Sequence, residues 1–138
     1  MRDYIHKVQY YETDKMGITH RSNYVRFMEE ARVDFFEQLG WPYDRFETEG
    51  IASPVVSVDL DYKATTTYPD EIAIEVSVAE FKGVRLKLEY VMKQGDKVCC
   101  IAHSQHCFIN SEGRLVKISK DYPEFSECLQ NLVKNTEA

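Results

Sequence analysis

The sequence predicts an α+β domain in which an antiparallel sheet wraps one long helix and a short helix closes the chain. Three observations carry this. Apolar residues recur at helical period over residues 23–39, several later segments alternate between apolar and polar residues, and glycine- or proline-containing turns separate them. At 138 residues the chain is long enough for one real core and short for two, so 1–138 is read as a single domain.

Tyr4 to Tyr11 alternates, with Tyr4, His6, Val8 and Tyr10 on one side, and reads as the first strand. Tyr24, Phe27, Met28, Ala31, Phe35 and Leu39 then form one helical stripe. Ser22 or Asn23 can cap its start, and Gly40-Trp41-Pro42 stops it. About 17 residues at ~1.5 Å rise give roughly 25 Å, enough to cross a sheet.

Residues 43–53 read as an irregular connection. Val56, Val58, Leu60 and Tyr62 oppose Ser57, Asp59 and Asp61; Ile72, Ile74, Val76 and Val78 oppose Glu75 and Ser77. Val84, Leu86, Leu88, Tyr90 and Met92 oppose Arg85, Lys87 and Glu89. Each is a strand with one buried face. Val98–Ile109 is a further strand, entered through Gln94-Gly95-Asp96, and its weaker alternation fits one covered on both faces. Leu115–Ile118 reads as a last short strand. Phe125, Leu129, Leu132 and Val133 mark the C-terminal helix, with Pro123 in its first turn. The strands read as a meander, and one helix covers only one face. Edge strands, such as those around Val84–Met92 or Val98–Ile109, would need protection, and a symmetric dimer formed through an edge is the default expectation.

Composition excludes several classes. The net charge of −6 argues against a nucleic-acid partner, which calls for a basic face. No apolar stretch is long enough to span a bilayer, and the first six residues lack the apolar core of a signal peptide, so a cytoplasmic protein is expected. Cys99, Cys100, Cys107 and Cys128 form no C-x-x-C and are expected to be free, buried thiols. His103 and His106 form H-x-x-H, but on a strand positions i and i+3 point to opposite faces, so no metal is assigned. The motifs G-x-S-x-G, G-x-x-x-x-G-K-[ST] and G-x-G-x-x-G are absent, which leaves serine hydrolases, nucleoside triphosphatases and dinucleotide enzymes without support.

The most informative segment is Tyr10-Tyr11-Glu12-Thr13-Asp14-Lys15-Met16-Gly17-Ile18-Thr19-His20-Arg21-Ser22-Asn23-Tyr24. It places an acid just before a helix start, where backbone N–H groups have no intrahelical partner. A base or nucleophile beside an oxyanion site is a minimal kit for attacking a carbonyl. On the residues alone, Asp14 is either that acid or a capping group. Ser22 and Asn23 are most simply caps, and His20 is either a helix-entry residue or a substrate contact. Tyr10, Tyr11, Phe27 and Trp41 read as core, or as acyl-pocket lining near the helix.

Val8-x-Tyr10-x-Glu12-Thr13-Asp14, Met16-Gly17-Ile18, Ser22-Asn23-Tyr24 and Glu30-Ala31-Arg32, taken with the element order, resemble the hotdog fold. Within it, the similarity is to the 4-hydroxybenzoyl-CoA thioesterase-like acyl-CoA thioesterases. The resemblance implies a homodimer or homotetramer with active sites at the subunit interface, CoA thioesters as substrates, and no metal or redox cofactor. It makes Asp14 the catalytic carboxylate and the Arg21 backbone N–H, seven residues on, the group that polarises the carbonyl. Related chains often carry His or Tyr where Arg21 stands, and here His20 precedes it. Tyr10 and Asn23 are further candidate substrate contacts, and Lys82, Arg85 and Arg114 are the nearest matches to residues that meet the CoA phosphates. Two alternatives stand beside hydrolysis. A non-catalytic acyl-CoA binding module is disfavoured by the acid at position 14. A hotdog hydratase or dehydratase is disfavoured by the five residues between Asp14 and His20.

Overall fold

A computed structural model describes residues 2–133 of the chain. The elements run β1 (Tyr4–Lys7), a 3-10 turn (Tyr10–Glu12), α1 (Asn23–Gln38), α2 (Tyr43–Glu49), β2 (Ile51–Ala52), β3 (Val55–Tyr62) and β4 (Glu71–Phe81). They continue with β5 (Leu86–Gln94), β6 (Lys97–His106), β7 (Ile109–Asn110), α3 (Ile118–Asp121) and α4 (Pro123–Asn131). A five-stranded antiparallel sheet has the order β1-β4-β5-β6-β3, and β2 pairs with β7 separately. No helix of the described residues is long and apolar enough to cross a membrane.

The helical stripe is buried as its period requires: Tyr24, Phe27, Met28, Ala31 and Phe35 lie in the core with Ile72, Ile74, Leu86, Leu88, Tyr90 and Met92 of the sheet. α1 ends in a Schellman motif, with Trp41 N–H donating to Phe36 O at 2.9 Å and Gly40 N–H to Glu37 O at 3.1 Å. Gly40 takes the left-handed conformation this motif needs, at φ 82°.

Several expectations are corrected. The first strand ends at Lys7, because Glu12 reaches back to Gln9 N–H (2.7 Å) and curls the chain into the 3-10 turn. Tyr10 and Tyr11 therefore leave the core face and are 77% and 78% exposed. Within 43–53 lies α2, which buries Phe46 against Trp41 (5.5 Å between centroids), Phe36 (5.5 Å) and Phe125 (5.7 Å) and stops at Gly50, φ 77°. Leu115 makes a single bridge to Ile109, and no last strand follows among the described residues. Ile118 starts α3 instead, tied by its N–H to Gly83 O at 2.8 Å.

The sheet is not a simple meander. β4, β5 and β6 follow one another, but β3 pairs with β6, so residues 63–70 cross the end of the sheet before β4 begins. The segments expected at the edges, β5 and β6, lie inside, and the edges are β1 and β3. β3 has no buried face within one chain: Val55, Val56, Val58 and Tyr62 are each 39% to 46% exposed. All four cysteines are free; Cys99 and Cys100 are buried, whereas Cys107 and Cys128 are half-buried.

Candidate functional site

The loop from Thr13 to Ser22 closes on itself. Asp14 N–H donates to Ile18 O and Gly17 N–H to Asp14 O, both at 2.9 Å, with Gly17 at φ 78° making the turn. The Asp14 carboxylate accepts Met16 N–H at Oδ1 (2.8 Å), an Asx turn that fixes the side chain. Its Oδ2 accepts nothing from the described residues.

The crossover 63–70 is stitched to this loop. Thr19 N–H donates to Thr66 O (2.8 Å), and the Thr66 hydroxyl joins Thr19 Oγ1 (2.7 Å) and Tyr24 OH (2.9 Å). Between loop, crossover and helix start lies a cavity of about 370 Å³, lined by Asp14, His20, Arg21, Tyr24, Tyr62 and Lys63 among others. Burial raises the phenols of Tyr24 and Tyr62 above their ordinary value, which keeps both as donors. Tyr62 OH donates to Arg21 O at 3.2 Å.

The amides at the helix start are not all open. Asn23 N–H is taken by His20 O (3.0 Å), Tyr24 N–H by Arg21 O (3.1 Å) and Ser22 N–H by His20 Nδ1 (3.2 Å). Arg21 N–H has no acceptor among the described residues. Its direction follows from the peptide it shares with His20. The His20 carbonyl accepts Asn23 N–H and also Asn23 Nδ2 (3.3 Å), while Nδ2 donates in addition to Glu12 O (2.9 Å). In a trans peptide C=O and N–H point opposite ways, so pinning that carbonyl to Asn23 turns Arg21 N–H away from it.

Asp14, His20 and Arg21 thus line one cavity. Accepting Ser22 N–H at Nδ1 leaves the neutral His20 ring its proton on Nε2. Ser22 occupies the cap position without making a cap bond; its hydroxyl bonds His20 Nδ1 at 2.8 Å. Asn23 is a bracket between Glu12 and His20 and does not line the cavity. Tyr10 lies outside as well, edge-on to Tyr68 at 5.9 Å. Lys82 and Arg85 flank the β4–β5 turn, and Lys82 pairs with Glu80 at 3.4 Å. An 11-residue strand at ~3.3 Å per residue puts that turn on the order of 35 Å from the crossover end of β4. Arg114 sits in the turn after β7. Sequence reasoning missed Tyr62, Lys63 and Thr66. Their contribution follows from the crossover, and alternation in β3 carried no signal of it.

His103 and His106 point to opposite faces. His103 pairs with Asp59 (2.9 Å) and Glu89 (3.1 Å), while His106 is buried against Ser104 (2.7 Å).

Comparison with known proteins agrees with this architecture. A family model described as the thioesterase-like superfamily matches residues 8–132. A protein of Aquifex aeolicus carrying a provisional esterase name is 31% identical over 121 residues, covering 88% of this chain and 94% of that one. The 1,4-dihydroxy-2-naphthoyl-CoA hydrolase of Thermosynechococcus vestitus is 28% identical over 109 residues, 77% of this chain and 74% of its own. The crystal structure of a DHNA-CoA thioesterase from Staphylococcus aureus superposes with a TM-score of 0.88 at 24% identity, covering 94% of this chain and 89% of that one. The chain belongs to the thioesterase-like superfamily and has its hotdog fold.

Proposed function

We propose that this chain hydrolyses acyl-CoA thioesters to the free acid and CoA, with Asp14 and Arg21 N–H acting on one carbonyl. The observation that carries this reading is the shared cavity: Asp14, with one unengaged carboxylate oxygen, and Arg21, whose amide has no acceptor among the described residues, both line it. The amide stabilises the oxyanion as the tetrahedral intermediate forms. Asp14 either adds to the carbonyl carbon or removes a proton from the water that does. In the first route the C–S bond breaks to expel the CoA thiolate, and water then cleaves the mixed anhydride. In the second, acid and thiol form directly. Neither route changes an oxidation state, Asp14 supplies the base or nucleophile and the amide stabilises the oxyanion, so the proposed reaction calls for no metal or redox cofactor. His20 contributes an Nε2–H donor at the rim. We place this activity in the reducing cytoplasm, a reading the four free thiols support.

The unit that acts is a homodimer joined at β3, whose outer edge has no strand partner among the described residues and whose apolar side chains are exposed. Antiparallel self-pairing about a two-fold axis sets the Val55 end of one copy beside the Tyr62 end of the other. Val55 pairs with His106, and His106 with Leu86, so the β4–β5 turn lies about 10 Å, or two strand spacings, from the Val55 end of β3. The two-fold therefore brings the partner subunit's Lys82, the partner subunit's Arg85 and the partner subunit's Arg114 to the side of the Asp14 cavity. That placement suits them to the CoA phosphates.

Thiol release from a panel of acyl-CoAs, wild type against Asp14→Asn, tests the reading. Release that depends on Asp14 supports it. Release unchanged in the variant removes Asp14 from the mechanism, and no release from any thioester favours a binding module.

A further inference from the structure

Behind the cavity, three ionisable side chains from three elements form one chain of contacts. His6 of β1 and Glu12 of the 3-10 turn are both buried, at 8% and 5% exposure. His6 Nε2 lies 2.9 Å from Glu12 Oε1, and its Nδ1 lies 3.0 Å from Glu30 Oε1 on α1. Phe27 packs against the ring, tilted by 33° with 4.1 Å between centroids. Glu30 Oε1 also accepts Tyr4 OH at 2.8 Å, and Glu12 Oε1 accepts Gln9 N–H at 2.7 Å.

Glu12 faces both ways. Its carboxylate is fixed by His6 and Gln9, while its main-chain carbonyl accepts His20 N–H (2.8 Å) and Asn23 Nδ2 (2.9 Å). The first donor ties His20 to Glu12, and Asn23 Nδ2 also bonds His20 O, the carbonyl of the His20–Arg21 peptide whose outward end is the open amide. His6 touches no cavity-lining residue in these bonds, yet it is the tie between Glu12 and the helix through Glu30.

We propose that His6 is a positioning residue for the oxyanion site: by clamping Glu12 to Glu30 it sets where Arg21 N–H points. This rests on reading the Asp14 cavity as the hydrolytic site. Removing the imidazole would leave a buried carboxylate without its partner, and Glu12 would shift toward solvent, taking the His20 contact with it.

The two amide replacements separate the two halves of the clamp. In His6→Asn the amide lies near the Nδ1 position and keeps the Glu30 bond. In His6→Gln it lies near Nε2 and keeps the Glu12 bond. In His6→Asn, kcat should fall about tenfold with KM within about twofold, because a misdirected oxyanion donor is lost mainly in the transition state. His6→Gln should recover much of that loss. The Arg21 amide resonance of the folded protein should move in His6→Asn and return toward wild type in His6→Gln. A purely structural His6 would lower thermal stability without this ordering in kcat. An active wild type with unchanged kcat and an unmoved Arg21 resonance in folded His6→Asn overturns the inference and leaves the thioesterase reading intact. Should the wild type release no thiol, that reading fails by itself, and the Arg21 resonance alone decides the positioning claim. If His6→Asn does not fold, His6→Gln is read against wild type in the same way, with a smaller loss expected.

Discussion

His106 shows how one side chain ties packing to pH. Arginine only donates, so Arg32 Nη1 to Tyr90 OH (3.1 Å) sets the direction of the buried chain that follows. Tyr90 then donates to Ser104 Oγ and Ser104 to His106 Nε2, both 2.7 Å. The remaining Nδ1–H lies among the Ser53 and Pro54 main chain without a hydrogen bond of good geometry. Burial, with Arg32 adding to it, pushes His106 down from 6.5 to about 4. The unfolded chain therefore takes the proton first. The contribution to stability is complete above pH 6.5 and is lost as pH falls toward about 4, for a total on the order of 3 kcal/mol. Denaturant midpoints at pH 8 and pH 4.5 should differ by less in His106→Gln than in wild type. Equal pH dependence in the two would contradict the assignment. This network was not legible in the sequence, because positions 32, 90, 104 and 106 each fit an ordinary helix or strand pattern. Asp14 was legible because the turn chemistry around it is local. The tie from His6 to Glu30 was not, since it spans three elements.

At the scale of elements, local periodicity decided what could be read. α1 buries a full stripe of apolar residues over four turns, and its period and stop signal agree. α2 is seven residues long and buries only Phe46 fully, too few turns for a period to emerge, although Pro42 and Gly50 bracket it. The β4–β5 turn depends on Gly83, at φ 85°, where an added Cβ would sit 2.8 Å from Ser119 Oγ. Its carbonyl also anchors the start of α3. Gly83→Ala should lower unfolding free energy by roughly 1–3 kcal/mol, combining left-handed strain with the contact. Gly83→Ala with Ser119→Gly should recover the contact share and leave the strain. A fully stable single variant would show that the turn can relax.

For the whole molecule, strand order was the hidden quantity. Alternation reports which face a side chain takes and says nothing about which strands are neighbours. β3 therefore looked like any half-buried strand, whereas its place at the edge leaves its apolar side chains open and sends the crossover past the Asp14 loop. The proposed dimer makes use of both consequences. Val58→Lys should put a charge into that junction and shift the protein to monomer in sedimentation, with thiol release falling alongside. A variant that stays dimeric and active would move the interface elsewhere.

The proposed hydrolysis turns on a carboxylate and an amide that share one cavity. Steady-state thiol release by Asp14→Asn, using the best wild-type acyl-CoA, tests it most directly. A fall in kcat of roughly 10² to 10⁴, with KM little changed, is the predicted result. Turnover equal to wild type would contradict it.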